Sequence, residues 1–207
     1  MKVLTLTVGS MMENCYIVYE NVEAVAIDPG ADARDILDTL KKNGLKLTHI
    51  LLTHGHYDHI GAVQELKDKT DAKICIHLDD ADMLKSARMN LSISVGSPAV
   101  TYSPDMLLYD GQIIETGKMS IQVIHTPGHT PGGVCFAIGD NLFTGDTLFN
   151  RSVGRTDFPG GSAEQLGRSM NNVLKKLSKN YIVYPGHGPF SSLDYEKKNN
   201  PFMRGMG

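Results

Sequence analysis

The apolar and polar positions divide the chain into two halves, and each half places short strands before helices. In the first half, apolar runs predict strands over Val3 to Val8, Cys15 to Tyr19 and Ala24 to Ile27. Turn residues, Gly9-Ser10 and Glu20-Asn21, separate these runs. The short spacers predict that the three strands pair antiparallel.

A helical pattern follows the third strand. Asp32 stands where it can cap the helix, and Asn43-Gly44 is a typical left-handed terminus. The apolar stripe of this helix comprises Ala33, Ile36, Leu37 and Leu40. The rest of the first half predicts, in order, a strand over His49 to Leu52, a helix over Ile60 to Lys69, a strand over Ile74 to Ile76 and a polar helix over Asp79 to Arg88.

The stretch from Met89 to Asp105 has no clear periodicity and mixes Ser, Gly and Pro with scattered apolar residues. Long segments of this kind are often functional flaps, and a plain surface connection is the alternative.

The second half repeats the order of strands and then a helix. Its predicted strands are Gln112 to Glu115, Met119 to His125, Val134 to Ile138, Asn141 to Thr144 and Tyr181 to Tyr184. Before the last strand, Ser162 and Gln165 form the pattern of a capping box. The helix that they begin has the apolar stripe Ala163, Leu166, Met170, Val173, Leu174 and Leu177. This order predicts two sheets face to face with helices outside.

Composition narrows the class of protein. A chain of 207 residues with 41% hydrophobic residues is expected to form one domain, 1–207, with a substantial core. A net charge of -3 argues against a nucleic-acid-binding surface, and no apolar run approaches the roughly 20 residues that span a bilayer. The N-terminus lacks the apolar core of a signal peptide. Cys15, Cys75 and Cys135 are expected to be buried thiols, which suits a cytoplasmic protein. The oligomeric state stays open.

Four side chains that can bind metal fall within one short stretch, residues 53–59, at the end of the fourth predicted strand. Imidazole nitrogens and carboxylate oxygens suit Zn²⁺, Fe²⁺ or Mn²⁺. His54 and His56 share one side of an extended chain and can point at one ion. If a helix begins there, Asp58 and His59 can turn toward a second ion. The alternative is a solvated polar loop, but packing gives no reason to group three His and one Asp in this way.

Three further residues of the same chemical type occur later, and each follows a Gly that ends an apolar run. They are His129 in the Thr126 to Gly133 stretch, Asp146 after Gly145, and His187 after Gly186. Loops at strand ends are where a rigid scaffold usually carries its functional residues. His125 lies close to His129 in sequence, and we expect it to brace loops through hydrogen bonds rather than to bind metal.

Together these motifs resemble the metallo-β-lactamase fold over nearly the whole chain. Within that superfamily the chain is most similar to glyoxalase II (hydroxyacylglutathione hydrolase) and its short bacterial relatives. The supporting stretches are Thr126 to Thr130, Thr144 to Thr147, Val153 to Gly161 and Tyr195 to Phe202. The resemblance implies an α/β fold, a four-layer αββα sandwich with its metal ligands along one edge.

The resemblance also implies a role for each candidate ligand. His54, His56 and His129 would hold the first metal, and Asp58, His59 and His187 would hold the second. Asp146 would bridge both ions. The expected cofactors are two divalent metal ions, with Zn²⁺ expected first and iron or manganese as the alternatives.

The implied activity is hydrolysis of a thioester such as S-lactoylglutathione by a metal-bound hydroxide. Asp58 and Asp146 are the catalytic candidates. Asp146 would bridge the two ions, and Asp58 can also orient the hydroxide or accept its proton. Arg155 is the candidate for gripping a substrate carboxylate, and an ion pair with Asp157 is its structural alternative. Phe158 is the candidate for packing against the substrate, and the only expected partner is this small molecule.

Other activities on the same fold stay open. Mononuclear-iron persulfide dioxygenases resemble the chain in the stretch Gly154 to Phe158, and they share these ligands. A lactonase or other acyl hydrolase is a further alternative, whereas Asp146 argues against the zinc β-lactamases that have Cys at that position. Only a short tail follows His187, so we expect that the helical extension of glyoxalase II, with its glutathione contacts, is absent.

Overall fold

Two six-stranded sheets dominate the fold in the computed structural model, which describes residues 1–96 and 103–203. The first sheet contains, in sequence order, β1 (Lys2–Val8), β2 (Glu13–Glu20), β3 (Glu23–Ile27), β4 (Lys46–Leu51), β5 (Lys73–His77) and β6 (Met106–Leu108). β1, β2 and β3 pair antiparallel, as predicted. From β3 to β6 the neighbours run parallel, so their carboxyl ends share one edge of the sheet.

The second sheet has the strand order β14-β13-β10-β9-β8-β7. Its members are β7 (Ile113–Thr116), β8 (Met119–His125), β9 (Val134–Ile138), β10 (Asn141–Gly145), β13 (Ile182–Pro185) and β14 (Ser191–Ser192). β10 and β13 pair parallel, and the other neighbours pair antiparallel. A separate two-stranded ribbon joins β11 (Leu148–Phe149) to β12 (Ser152–Val153).

Helices connect the parallel strands, because a parallel pair needs a crossover. The α-helices are α1 (Ala33–Lys42), α2 (Tyr57–Ile60), α3 (Val63–Thr70), α4 (Ala163–Arg168) and α5 (Leu193–Asn199). Three 3₁₀ helices (Leu78–Lys85, Ser92–Val95 and Leu174–Lys176) and one π-helix (Ser169–Val173) complete the described helical segments.

Three hydrophobic clusters lie between four layers and confirm the αββα sandwich. The first cluster packs α1 and α3 on the first sheet, and Ile17 belongs to it. Its neighbour Val18 points the opposite way, into the cluster between the two sheets. Phe143 of the second sheet also belongs to that central cluster, while Leu142 belongs to the third, together with Leu166 of α4. Alternate side chains along a strand therefore pack into two different hydrophobic cores.

Three helix predictions need correction in detail. Asp32 does not cap α1 with its side chain; it adopts a left-handed backbone, and its carboxylate accepts a hydrogen bond from Gly9 N at 2.8 Å. The helix predicted over Ile60 to Lys69 is split into α2 and α3 near Gly61, which packs against the Gly30 carbonyl. The polar helix predicted over Asp79 to Arg88 is instead a 3₁₀ helix, Leu78–Lys85, whose Asp80 side chain bonds a distant loop.

The helix predicted after Ser162 begins as expected, because Ser162 Oγ accepts a hydrogen bond from Gln165 N at 3.3 Å. It does not continue as one regular α-helix; α4 ends at Arg168 and a π-helix follows. There Ser169 Oγ donates to the Pro127 carbonyl at 2.7 Å, so contact with another loop competes with regular helix geometry.

Periodicity gave no indication of β6 or α5. Of the stretch predicted to be irregular, Met89 to Asp105, the described part contains the 3₁₀ helix Ser92–Val95, and residues 97–102 lie outside the described residues. Within the described ranges, no helix is both long and apolar enough to cross a membrane.

Candidate metal centre

Strand ends bring the seven candidate ligands to one place. His54 and His56 follow β4, and Asp58 and His59 lie in the first turn of α2. His129 lies in the loop between β8 and β9, Asp146 follows β10 and His187 follows β13. β10 and β13 are parallel, so Asp146 and His187 leave the second sheet at the same edge.

A change of backbone conformation separates the four ligands of the first motif into two groups. His56 is extended, with φ -70° and ψ 150°, and the helical backbone begins at the next residue. One group comprises His54, His56 and His129, and the other comprises Asp58, His59 and His187. Within each group, the potential ligand atoms all lie within 4.8 Å of one another.

Asp146 lies between the two groups. Its Oδ2 atom is 3.5 Å from His129 Nε2, and its Oδ1 atom is 3.4 Å from His59 Nε2. Oδ1 also lies 3.8 Å from His187 Nε2. One carboxylate therefore offers an oxygen to each group, which is the arrangement that a bridging ligand requires.

The centre fits metal ions because it buries polar atoms that nothing else satisfies. His54 Nε2, His56 Nε2, His59 Nε2 and Asp146 Oδ1 are buried and have no hydrogen-bond partner among the described residues. Leaving such atoms unpaired costs on the order of 1–3 kcal/mol each, so native structures rarely do so. A donor set of imidazole nitrogens and carboxylate oxygens suits Zn²⁺, Fe²⁺ and Mn²⁺.

Three of the candidate imidazole ligands, His54, His59 and His129, are oriented by contacts to their Nδ1 atoms. His54 Nδ1 lies 3.1 Å from Thr53 Oγ1, and His59 Nδ1 lies 3.0 Å from Asp28 Oδ2. His129 Nδ1 donates to the Arg155 carbonyl at 2.6 Å. In each ring, this contact leaves Nε2 directed at the cluster, as in known sites where a second partner fixes the ligand.

Sequence reasoning missed the role of Asp28, which it treated only as the end of the third strand. Asp28 accepts hydrogen bonds from Thr53 N at 2.7 Å and Thr53 Oγ1 at 2.6 Å, besides its contact with His59. Its oxygens lie near His54 and His59 but are engaged by these donors, so it orients ligands. A charged residue directly after a buried strand was the only available signal.

Glu13 was missed as well. It is fully buried at the start of β2, and neither carboxylate oxygen has a hydrogen-bond partner among the described residues. Oε1 lies 3.8 Å from His59 Nδ1. Burial raises the pKa of Glu13 well above its usual value, and the nearby His59 only partly opposes this. No local pattern signals this role, because the contact depends on how the strands pair.

Electrostatics favours the protonation states that most of the ligands need. Burial would raise the pKa values of Asp58 and Asp146, but nearby imidazoles, His59 foremost, hold both below their usual range. Burial lowers the pKa of His54 well below 6.5 and that of His56 to about 3. Ionised carboxylates and neutral imidazoles are the forms that bind metal.

Glycines let the backbone approach the ligands closely. A Cβ atom on Gly154 would lie 1.9 Å from the Asp146 carbonyl oxygen, and one on Gly30 would lie 1.6 Å from the Asp58 carbonyl oxygen. A Cβ on Gly186 would lie 2.5 Å from Asp146 Oδ1. The floor of the centre is thus packed against main chain and has no room for side chains at these positions.

A cavity of about 570 Å³ opens above the ligands, and Arg155 and Phe158 both line it. The Phe158 ring lies 5.5 Å from the His56 ring, and the Arg155 guanidinium lies 4.1 Å over the Phe158 ring. Arg155 Nε and Nη2 also donate to Asp157 at 2.7 and 2.6 Å. The ion pair considered as an alternative therefore exists, while Arg155 still faces the cavity.

The loop that carries His129 is held from two sides. His125 Nε2 donates to the Pro131 carbonyl at 2.9 Å, which confirms its predicted bracing role, and its ring stacks on His77 at 4.1 Å. Asp80 accepts hydrogen bonds from Thr130 Oγ1 at 2.7 Å and from Gly132 N at 2.6 Å. Both contacts restrict the backbone around His129.

Comparison with known proteins places this centre in a family. The model of the metallo-beta-lactamase superfamily matches residues 8–187. A probable metallo-hydrolase, YqgX from Bacillus subtilis, is 34% identical over 100% of this chain and 99% of its own length. The hydroxyacylglutathione hydrolase GloC from Haemophilus influenzae is 32% identical over 98% of each chain.

Solved structures agree with the sequence relatives. BLEG-1, a B3 metallo-β-lactamase, is 36% identical with a TM-score of 0.94, covering 99% of this chain and 100% of its own. TTHA1623 in a di-iron-bound form is 37% identical with a TM-score of 0.87, and the match covers 97% of this chain and 100% of that one. ETHE1 from Myxococcus xanthus is 31% identical with a TM-score of 0.82, and the match covers 97% of this chain and 84% of that one. The chain therefore belongs to the metallo-β-lactamase superfamily and groups with its metallo-hydrolases.

Proposed function

We propose that the protein is a binuclear metal-dependent hydrolase of thioesters, of which S-lactoylglutathione is an example. The observation that carries this proposal is the position of Asp146, with one oxygen toward each group of three ligands. Seven ligand-type residues exceed what one ion needs, and they lie open to a cavity rather than closed off.

Two divalent ions at this centre would lower the pKa of a water molecule and polarise a substrate carbonyl. The protein contributes the charge and the geometry. Asp58 Oδ2 lies 3.3 Å from His187 Nε2, and its lowered pKa keeps the carboxylate ionised. An ionised carboxylate at the floor of the cavity can orient the attacking water and accept its proton.

Arg155 supplies a recognition group at the rim. Its guanidinium is paired with the exposed Asp157, and an exposed ion pair is weak enough to be exchanged for another carboxylate. Phe158 supports the guanidinium from one face, so the planar fork keeps its orientation during the exchange. A thioester whose thiol part carries a carboxylate would use this contact.

The relatives support the proposal without fixing the substrate. GloC is named as a hydroxyacylglutathione hydrolase and matches almost the full chain. BLEG-1 is named as a B3 metallo-β-lactamase, so β-lactam hydrolysis belongs in the same set of assays. Persulfide oxidation by a mononuclear iron centre stays the alternative activity and is tested alongside, and ETHE1 from Myxococcus xanthus matches the chain at 31% identity.

The decisive experiment combines metal analysis of the purified protein with three assays: hydrolysis of S-lactoylglutathione, persulfide-dependent oxygen uptake and hydrolysis of a β-lactam. We expect two metal ions per chain and thioester hydrolysis. One iron per chain together with oxygen uptake would overturn the proposal in favour of a dioxygenase, and β-lactam hydrolysis alone would reassign the substrate.

A further inference from the structure

The cavity has an apolar lining that the ligands and Arg155 leave unexplained. Its apolar lining residues are Met11, Leu91, Val95, Phe149, Val153 and Phe158. Among the described lining residues, Arg155 is the only charged side chain outside the proposed ligands, and it is paired with the exposed Asp157. The cavity therefore offers one cationic group, which suits one carboxylate on the thiol part of a substrate, and the rest of this lining is largely apolar.

We call three of these lining residues the apolar wall: Met11, Leu91 and Val95. Met11 and Val95 are each 52% exposed, so water reaches apolar surface beside the cavity. Exposed apolar surface that borders a cavity often marks a ligand-binding site. Leu91 has a left-handed backbone with φ 67°, which is unfavourable for a leucine. Strain of this kind is often found at ligand sites.

The apolar wall and Arg155 are associated with different ligands of the centre. Phe158, which supports Arg155, contacts the ring of His56. On the side of the apolar wall, Tyr57 N donates to the carbonyl of Asn90, the residue before Leu91, at 2.9 Å. Met11 also lines a neighbouring cavity together with Tyr57 and Asp58. Arg155 and Phe158 therefore lie beside His56 of the first group of ligands, whereas Met11 lies beside Asp58 of the second.

We propose that the apolar wall binds the acyl chain of the substrate, so that the enzyme prefers thioesters of aliphatic acids to thioesters of small hydroxy acids. This inference rests on the proposed thioesterase function. The thiol part would extend toward Arg155, while the acyl chain would cover Met11, Leu91 and Val95. Burying the chain removes apolar surface of both partners from water.

The first test varies the acyl chain on one constant thiol. With acetyl, butyryl and hexanoyl thioesters, we expect kcat/KM to rise about two- to fourfold for each added methylene until the wall is covered. A series with equal kcat/KM values would overturn the proposal, and so would a preference for lactoyl over butyryl.

Variants locate the effect. Val95→Ser and Leu91→Gly should each flatten the dependence on chain length. Leu91→Gly removes the side chain but also relieves the left-handed strain, so it should leave the folding temperature nearly unchanged. The matched control is Ile93→Ser, because Ile93 lies in the same 3₁₀ helix, is 66% exposed and does not line the cavity. If Ile93→Ser weakened the dependence of kcat/KM on chain length to the same degree, the apolar wall would not be the acyl-binding surface.

A binding measurement separates this inference from the proposed function. Calorimetric titration of the metal-loaded protein with acetate and hexanoate compares two carboxylates that differ only in their chain. Tighter hexanoate binding that Val95→Ser abolishes would support the wall even if no thioester were hydrolysed. Equal affinities, together with thioester hydrolysis that ignores chain length, would overturn the wall and leave the thioesterase proposal standing.

Discussion

At the residue scale, Asp28 has the most testable role outside the proposed ligands. Asp28→Asn replaces one oxygen by an amide that cannot accept bonds from both Thr53 Oγ1 and His59 Nδ1. We expect metal affinity to fall about 10- to 100-fold, as for other residues that orient a ligand. Competition with a fluorescent chelator measures this change.

The matched control is Asp32→Asn. Asp32 is exposed, and its carboxylate accepts a hydrogen bond from Gly9 N. Its substitution should leave metal affinity unchanged. An Asp28→Asn variant with the affinity of the unmodified protein would show that His59 is held in place by packing alone.

Arg155 gives a second prediction at this scale. Arg155→Ala should raise KM for a carboxylate-bearing thioester about ten- to hundredfold and change kcat little, because the contact would be equal in ground and transition states. Arg155→Lys should restore only part of the lost affinity, since an ammonium keeps the charge but lacks the two parallel donors of the guanidinium. Steady-state kinetics with a thioester lacking that carboxylate is the control. Equal losses for both substrates would mean that Arg155 serves only its pair with Asp157.

Local motifs and long-range contacts differ in what the sequence reveals. His54, His56, Asp58 and His59 are close in the chain, and their types alone indicate metal binding. By contrast, the bond between Asp28 and His59 depends on the register of β3 with β4. No local pattern encodes that register, so residues that orient the ligands escaped prediction.

At the scale of elements, the 3₁₀ helix Leu78–Lys85 explains why a polar segment matters to the centre. Asp80→Ala would leave Thr130 Oγ1 and Gly132 N without their buried acceptor. We expect about 1–3 kcal/mol lower stability and weaker metal binding through the His129 loop. Asp82→Ala is the control in the same 3₁₀ helix, because Asp82 is exposed. Urea unfolding of both variants measures the difference, and equal curves would contradict the loop-holding role.

Strands were more predictable than helices for a physical reason. Alternation with period two is visible over five residues, and nearly all long strands were found at or near their bounds. Helices were cut or changed where a side chain or close backbone contact intervened, as at Gly61 and at Ser169. The tail helix Leu193–Asn199 is short and polar on its exposed face, so its pattern was too weak to detect.

At the scale of the whole molecule, the candidate ligands connect the two sheets. His54 and His59 belong to the first half, while His129, Asp146 and His187 belong to the second. Ions held between the halves would stabilise the folded protein by about 2.7 kcal/mol at a free concentration 100 times the Kd. Removing metal with a chelator should therefore lower Tm in a thermal scan. An unchanged Tm after verified metal loss would contradict this coupling.

The same stabilisation should depend on pH with a definite sign. Burial alone would lower the pKa of His59, but Asp146 and Asp28 outweigh it and raise the pKa well above its usual value. A protonated imidazole cannot bind metal, so protons compete with the ion as the pH falls. The difference in Tm between metal-loaded and chelated protein should shrink toward acidic pH.

The contrast between the floor and the apolar wall has a consequence for how this enzyme can diverge. A side chain would displace a ligand residue at three glycines of the floor, Gly30, Gly154 and Gly186, so substitutions there are not tolerated. Leu91 and Val95 border a short surface turn, where a substitution alters the cavity but leaves the ligands in place. Under laboratory evolution, descendants with new substrate ranges should therefore carry changes in the turn and retain the glycines.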